Sequence, residues 1–206
     1  MIEFFFDCSS PWTYLAFRNL QIMAATINEP IAWRPVLVGG IFNTVNQGIY
    51  NAREDMTSPK NLYLLKDLQD SARQAGVSLV FPPKVFPVNS VKAMRGCVWL
   101  LSQHSASQSQ LLAFIESTFA AYFTRQEDIS HDAVLASICR EVGIDADAFA
   151  EGIAQAVIKD ALKANTDEAI ARGAFGSPTF FVARDMYFGN DRIDLVRSAV
   201  LRGRAA

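Results

Sequence analysis

Strand-forming sequence in this chain is confined to its two ends, and that placement narrows the possible folds more than any other feature. Ile2 to Phe6 is a run of aromatic and branched residues closed by Asp7, which reads as a short buried strand. Ser9-Ser10-Pro11 then starts a helix, because proline at the first helical position has no amide hydrogen to leave unpaired and the serine hydroxyl accepts from the first turn. From Trp12 to about Ala25, Leu15, Ala16, Leu20 and Met23 recur at helical spacing, and Pro30 leads into a second strand from Ile31 to Leu37. The pattern does not return until Gly173-Ala174-Phe175-Gly176 has passed. Thr179 to Val182 and Met186 to Phe188 then read as a pair of strands turning through Arg184-Asp185, with a last helix after Gly189-Asn190-Asp191.

Between these ends the periodicity is helical. Lys60 to Ala75 places Leu62, Leu65, Leu68 and Ala72 on one face and stops at Gly76. Further helical patterns cover about 89–104, 108–124, 131–142 and 155–172. Phe81-Pro82-Pro83-Lys84-Val85-Phe86-Pro87 separates the first two of these helices as an extended loop. The order β-α-β, helices, β-β-α is that of an α/β thioredoxin-like fold split by an inserted all-helical domain, with 1–57 and 173–206 as one unit and 58–172 as the insert.

Charge excludes some partners. Lysine plus arginine number 19 against 21 acidic residues, a net charge of −2, so nothing draws the chain to a polyanion and nucleic acid is not expected. The start has no basic leader and no apolar run approaches the ~20 residues that span a bilayer, so no membrane partner and a cytoplasmic location are expected. Cys8, Cys97 and Cys139 are odd in number and widely spaced, and with only His104 and His131 they match neither a disulfide framework nor a metal site. They read as reduced core thiols, with Cys8, beside Ser9, nearest to a functional position.

Three short patterns sit at the ends of sheet elements: Asp7-Cys8-Ser9-Ser10-Pro11-Trp12-Thr13-Tyr14-Leu15-Ala16, Phe175-Gly176-Ser177-Pro178-Thr179, and Phe188-Gly189-Asn190-Asp191-Arg192. In these the chain resembles, over nearly its whole length, the 2-hydroxychromene-2-carboxylate isomerases and, more distantly, the kappa-class glutathione transferases, within the DsbA-like branch of the thioredoxin superfamily. Ser10-Pro11-Trp12-Thr13 stands where redox members of the superfamily carry Cys-x-x-Cys, so the usual catalytic disulfide cannot form there. A helix N-terminus still favours an anion. The resemblance makes that anion the thiolate of bound glutathione, with Ser10 donating a hydrogen bond to the sulfur.

The resemblance also implies a cis bond before Pro178, with the Ser177 backbone pairing with the cysteinyl part of glutathione. Asn190 and Asp191 would hold the γ-glutamyl end, Asp191 facing its ammonium, and Lys60 would face the glycyl carboxylate. Asn46 or Gln47, in the loop after Gly39-Gly40, and Asn89 would contact substrate or glutathione, and Trp12, Phe42, Phe81 and Phe86 would form an aromatic wall. Each polar position has a plainer reading as a helix cap, a strand start or a solvated side chain. The activity implied is the glutathione-dependent interconversion of 2-hydroxychromene-2-carboxylate and trans-o-hydroxybenzylidenepyruvate, on a small aromatic carboxylate substrate, by a homodimer. A kappa-like transferase or peroxidase shares the same site residues, and a thiol-disulfide oxidoreductase is opposed by the missing cysteines.

Overall fold

The computed structural model describes residues 1–49, 57–103 and 108–205. Strand β1 (Ile2–Phe6) is central, flanked by β2 (Ile31–Pro35) and β3 (Thr179–Val182), with β4 (Asp185–Phe188) outside β3, giving the order β2-β1-β3-β4. β1 and β2 run parallel through the crossover helix α1 (Pro11–Thr26), while β3 and β4 are antiparallel to their neighbours.

The apolar run Phe4-Phe5-Phe6 in β1 is continuous because both faces of the sheet are covered there. Phe4 and Phe6 point to one side and meet Trp33, Phe180 and, from α1, Leu15, Phe17 and Leu20. Phe4 stacks on Phe180, its register partner, with ring centroids 5.1 Å apart. Phe5 points to the other side with Val36, Ile41, Ala169 and Phe181. Each fully buried ring contributes about 2–3 kcal/mol of transfer free energy, so β1 alone anchors two cores.

After β2 come α2 (Val38–Val45), α3 (Pro59–Ala75), α4 (Val91–Ser102), α5 (Gln108–Phe119) with a π-helical turn (Ala120–Thr124), α6 (Asp132–Glu141), α7 (Ala146–Ala154) and α8 (Ala156–Ala171). A 3₁₀ turn (Asn190–Arg192) and α9 (Ile193–Ala205) close the chain. α4 and α7 approach closely through Gly152, where a Cβ would stand 2.2 Å from the Trp99 indole nitrogen. α8 returns to the sheet: Leu37 N–H donates to Thr166 Oγ1 at 3.1 Å, Asn165 Nδ2 donates to the Pro35 carbonyl at 3.1 Å, and Arg172 bridges Glu3 and Glu168.

Several boundaries differ from the sequence expectation. The second strand stops at Pro35 instead of Leu37, because the Leu37 and Val38 amides are taken by Thr166 and Asp7 and a helix begins. α2 therefore occupies Gly39-Gly40 and much of the loop expected after them, and the low helix propensity of these two glycines hides it in sequence. α7 was likewise not legible as a separate helix. In α3, Leu68 and Ala72 are buried as the periodicity predicts, but Leu62 is exposed and Leu65 half-buried, since the first turns of this helix overhang a groove and not the core. The expected end at His104 of the helix pattern covering 89–104 lies outside the described residues.

Candidate functional site

One groove of about 770 Å³ runs between the sheet end and the helices, within the ~300–1,000 Å³ range of small-molecule sites. Its polar floor is the first turn of α1. Ser10 caps that helix in an extended conformation, φ −101° and ψ 123°, and its Oγ accepts the Thr13 N–H at 3.3 Å. The same hydroxyl donates to the Ser177 carbonyl at 3.1 Å. Ser177-Pro178 is a cis peptide bond, as the resemblance implies, and so are Phe81-Pro82 and Phe86-Pro87.

Asp7, which the sequence marked only as a strand end, organises the groove from below. It is 1% exposed, with Oδ1 accepting the Ser9 N–H at 2.9 Å and Oδ2 the Val38 N–H at 2.8 Å. Burial pushes its carboxyl above the ordinary value, while the Val38 and Ser9 amides and the Ser90 and Ser9 hydroxyls pull it back. One carboxyl thus ties the loop before α1, the start of α2 and the residue before α4 into a single frame. Thr13 and Ser90, both buried in this frame, were also missed. Their only sequence signal is a hydroxyl residue at or within one turn of a helix start.

Ser10, Trp12, Asn46, Asn89, Ser177, Pro178, Asn190 and Asp191 all line this groove. Asn46, not Gln47, is the loop amide that reaches it, and its Nδ2 donates to the Phe175 carbonyl at 3.0 Å. Gln47 turns back to donate to the Asn43 carbonyl. Asn89 Oδ1 accepts the Val91 N–H at 3.0 Å and so also secures the start of α4. Lys60 is exposed at the start of α3 and stands outside the groove lining. Asn190 Oδ1 accepts from Asn19 Nδ2 at 2.9 Å, and Asp191 pairs with Arg192. Gly189, with φ +103°, leaves room for the Asp191 carboxylate, whose Oδ1 would lie 2.5 Å from any Cβ there.

Apolar side chains also line the groove: Phe42 beside Gly176, Leu64, Leu65 and Leu68 from α3, and Phe81 and Phe86, these last two in edge contact with centroids 5.1 Å apart. Asp67, also unforeseen, lines the groove from α3, and among the described lining residues there is no lysine, arginine or histidine. Anionic groups entering it therefore depend on amides, hydroxyls and helix ends.

The three cysteines are free and fully buried. Burial, contact with Cys97 and the nearby Asp7 charge hold Cys8 well above the usual thiol range, and burial pushes Cys139 up to about 12. Raised in this way, the Cys8 and Cys139 thiols are poor nucleophiles at neutral pH.

A DsbA-like thioredoxin domain model matches residues 1–201. The chain belongs to the DsbA-like thioredoxin family. Among DsbA-like proteins it is similar to the 2-hydroxychromene-2-carboxylate isomerase of Sphingobium xenophagum, 28% identical over 97% of both chains. It is 26% identical to glutathione S-transferase kappa 1 of Rattus norvegicus, over 95% of this chain and 88% of the relative. A solved 2-hydroxychromene-2-carboxylate isomerase superposes with a TM-score of 0.79 at 28% identity, covering 98% of this chain and 94% of that one. This DsbA-like chain departs from the redox pattern in carrying Ser10 and Thr13 at the two sulfur positions. Among the described residues no helix is long and apolar enough to cross a membrane.

Proposed function

We propose that this protein is a glutathione-dependent isomerase interconverting 2-hydroxychromene-2-carboxylate, or a close aromatic relative, and trans-o-hydroxybenzylidenepyruvate. The observation that carries the reading is the convergence of the Ser10 hydroxyl, the α1 N-terminus and the Ser177 carbonyl on one point of the groove, with the neighbouring Cys8 thiol buried and held well above the usual thiol range. Full-length likeness to proteins named for this isomerisation supports it.

The groove residues suit glutathione. The Ser177 carbonyl, preceding cis-Pro178, is an acceptor of the kind that pairs with an extended peptide, and Ser10 and the α1 amides favour a thiolate at the helix end. Asn190 and Asp191 would receive the zwitterionic γ-glutamyl end, and Lys60, from the edge, the glycyl carboxylate. When bound, glutathione supplies a nucleophilic sulfur that adds reversibly to a conjugated double bond and so permits rotation about it. Ser10 holds that sulfur ionised by donating its hydroxyl hydrogen. Trp12 and the Phe81–Phe86 pair orient the aromatic ring, and Asn46 and Asn89 offer polar contacts at its margin. The wall formed by Leu64, Leu65 and Leu68 keeps water from the reacting carbons.

A kappa-like transferase or peroxidase is the second reading, favoured by the 26% identical relatives of that name, and it uses the same polar floor. The reading takes the cytoplasm as compartment, a homodimer as assembly, and 1–57 with 173–206 and 58–172 as the two units.

Replacing Cys8, Cys97 and Cys139 together by alanine or serine tests the source of the sulfur. The folded variant is expected to keep its glutathione-dependent isomerase activity, while each replacement costs on the order of 1 kcal/mol of stability. A folded variant that binds glutathione yet is inactive would refute the ligand-thiol mechanism. Wild-type protein whose melting temperature is unmoved by millimolar glutathione would refute the cofactor.

A further inference from the structure

Beneath Ser10, the hydroxyls of Thr13 and Ser177 lie 2.9 Å apart, joining residues separated by 164 positions in sequence. Thr13 is fully buried and Ser177 nearly so, so water does not compete for this bond. Ser177 Oγ also accepts the Asp7 N–H at 3.2 Å and donates to the Phe5 carbonyl at 3.5 Å. Either hydroxyl can donate across the Thr13–Ser177 pair, and Thr13 is the donor whenever the single Ser177 hydrogen is on the Phe5 carbonyl.

Helix α1 therefore holds Ser177 twice from its first turn. Thr13 holds the side chain and Ser10 holds the carbonyl, the latter at 3.1 Å. The second bond cannot outlast a reaction in which Ser10 turns its hydrogen toward a sulfur. At that moment the Thr13 bond is the remaining side-chain tie between α1 and Ser177, the residue whose carbonyl faces the incoming ligand.

We propose that Thr13 is a positioning residue for the thiol chemistry. Its hydroxyl keeps the Ser177 carbonyl in register with Ser10 while a cysteinyl N–H replaces Ser10 on that carbonyl and the Ser10 hydrogen moves to the sulfur. The exchange is hydrogen bond for hydrogen bond, with no covalent bond made or broken, and it rests on the glutathione reading of the site. A mere packing role would need only the Thr13 methyl.

The test compares wild type with Thr13→Val, which keeps shape and loses the hydroxyl, Thr13→Ser, which keeps the hydroxyl and loses the methyl, and Ser177→Ala, which removes the same bond from its other end. Glutathione affinity is read by calorimetry and ionisation of the bound thiol by its ultraviolet thiolate absorbance as pH is varied. Thr13→Val is expected to bind about 10-fold more weakly, the scale of one buried hydrogen bond, and to ionise the bound thiol at higher pH than wild type. Thr13→Ser should return both to within about two-fold of wild type. Ser177→Ala, which also leaves the Asp7 N–H without its acceptor, should bind glutathione at least as weakly as Thr13→Val, and Thr13→Ala decides the matter if Thr13→Val does not fold. A folded Thr13→Val with a lower melting temperature but wild-type affinity and thiol titration overturns the proposal alone. Wild-type protein that binds no glutathione overturns the reading of the site and this proposal with it.

Discussion

The two walls of the groove are made from different materials. The sheet side presents hydroxyls, backbone groups and amide side chains, each held by a directional bond: Ser10 to Ser177, Ser177 to Thr13, Asn190 to Asn19, and Asp7 to three neighbours. The helical side, built from α3 and the proline-rich loop, is richer in leucine and phenylalanine, with Asn61, Asp67 and Ser71 between them, and apolar contacts have no preferred direction. Directional groups lose their function when displaced by a fraction of an ångström, whereas an apolar surface tolerates reshaping at modest cost. The sheet side is thus suited to hold a reacting group in place, and the helical side to decide what shape of substrate lies against it.

The largest expected effect is on the sheet side. Ser10→Ala should lower turnover roughly 10- to 100-fold, because a hydrogen bond to a charged sulfur contributes about 1.5–3 kcal/mol. It should cost only about 1 kcal/mol of stability through the lost helix cap. Steady-state kinetics and denaturant melts on one preparation separate the two, and unchanged turnover would reduce Ser10 to a cap.

An intermediate pair of substitutions asks whether the walls act independently. Asp191→Ala should raise the glutathione KM about 3- to 10-fold at constant kcat, because a remote contact made equally in ground and transition states changes binding only, and its exposure limits the size. Phe86→Ala should raise the aromatic substrate's KM about 10-fold and leave the glutathione KM alone, as expected for loss of one buried ring face. If either variant moves both constants, the division of labour between the walls is wrong.

The smallest effect concerns the frame beneath both walls. Asp7 has its carboxyl raised above 3.8 by burial, so the folded state holds the proton more tightly than the unfolded chain. Its contribution to stability is fully present below 3.8 and is lost as pH rises through the raised value. The melting-temperature difference between wild type and Asp7→Asn should therefore grow in favour of wild type as pH falls through that window and be flat below it. Glu3, held below its ordinary range by the Arg172 guanidinium, has the opposite sign and loses its contribution as pH falls. A difference that stays constant with pH would show that Asp7 does not titrate in the folded protein.

Much of this molecule was legible in one dimension. The strand from Ile2 to Phe6, the helix start at Ser10-Pro11, the αL stop at Gly76 and the hairpin near Arg184 follow from local rules, and the structure places them within a residue or two. The three sheet-end patterns carried the family, and eight of the residues marked through them meet in one groove: Ser10, Trp12, Asn46, Asn89, Ser177, Pro178, Asn190 and Asp191.

What sequence could not decide depends on partners far away in the chain. α2 forms across two glycines because the Asp7 carboxylate takes its first amide, a contact between positions 31 residues apart. Leu62 and Leu65 carry the same helical period as Leu68, yet only Leu68 is buried in the core, while Leu65 lines the groove and Leu62 is exposed. Thr13 looks like any helical threonine until β3 brings Ser177 beneath it. Local sequence determines which conformation a segment adopts, because propensity and capping act within one or two turns. Which hydroxyl meets which carbonyl, and which apolar face is left open to a ligand, is decided only when the tertiary fold sets the distances.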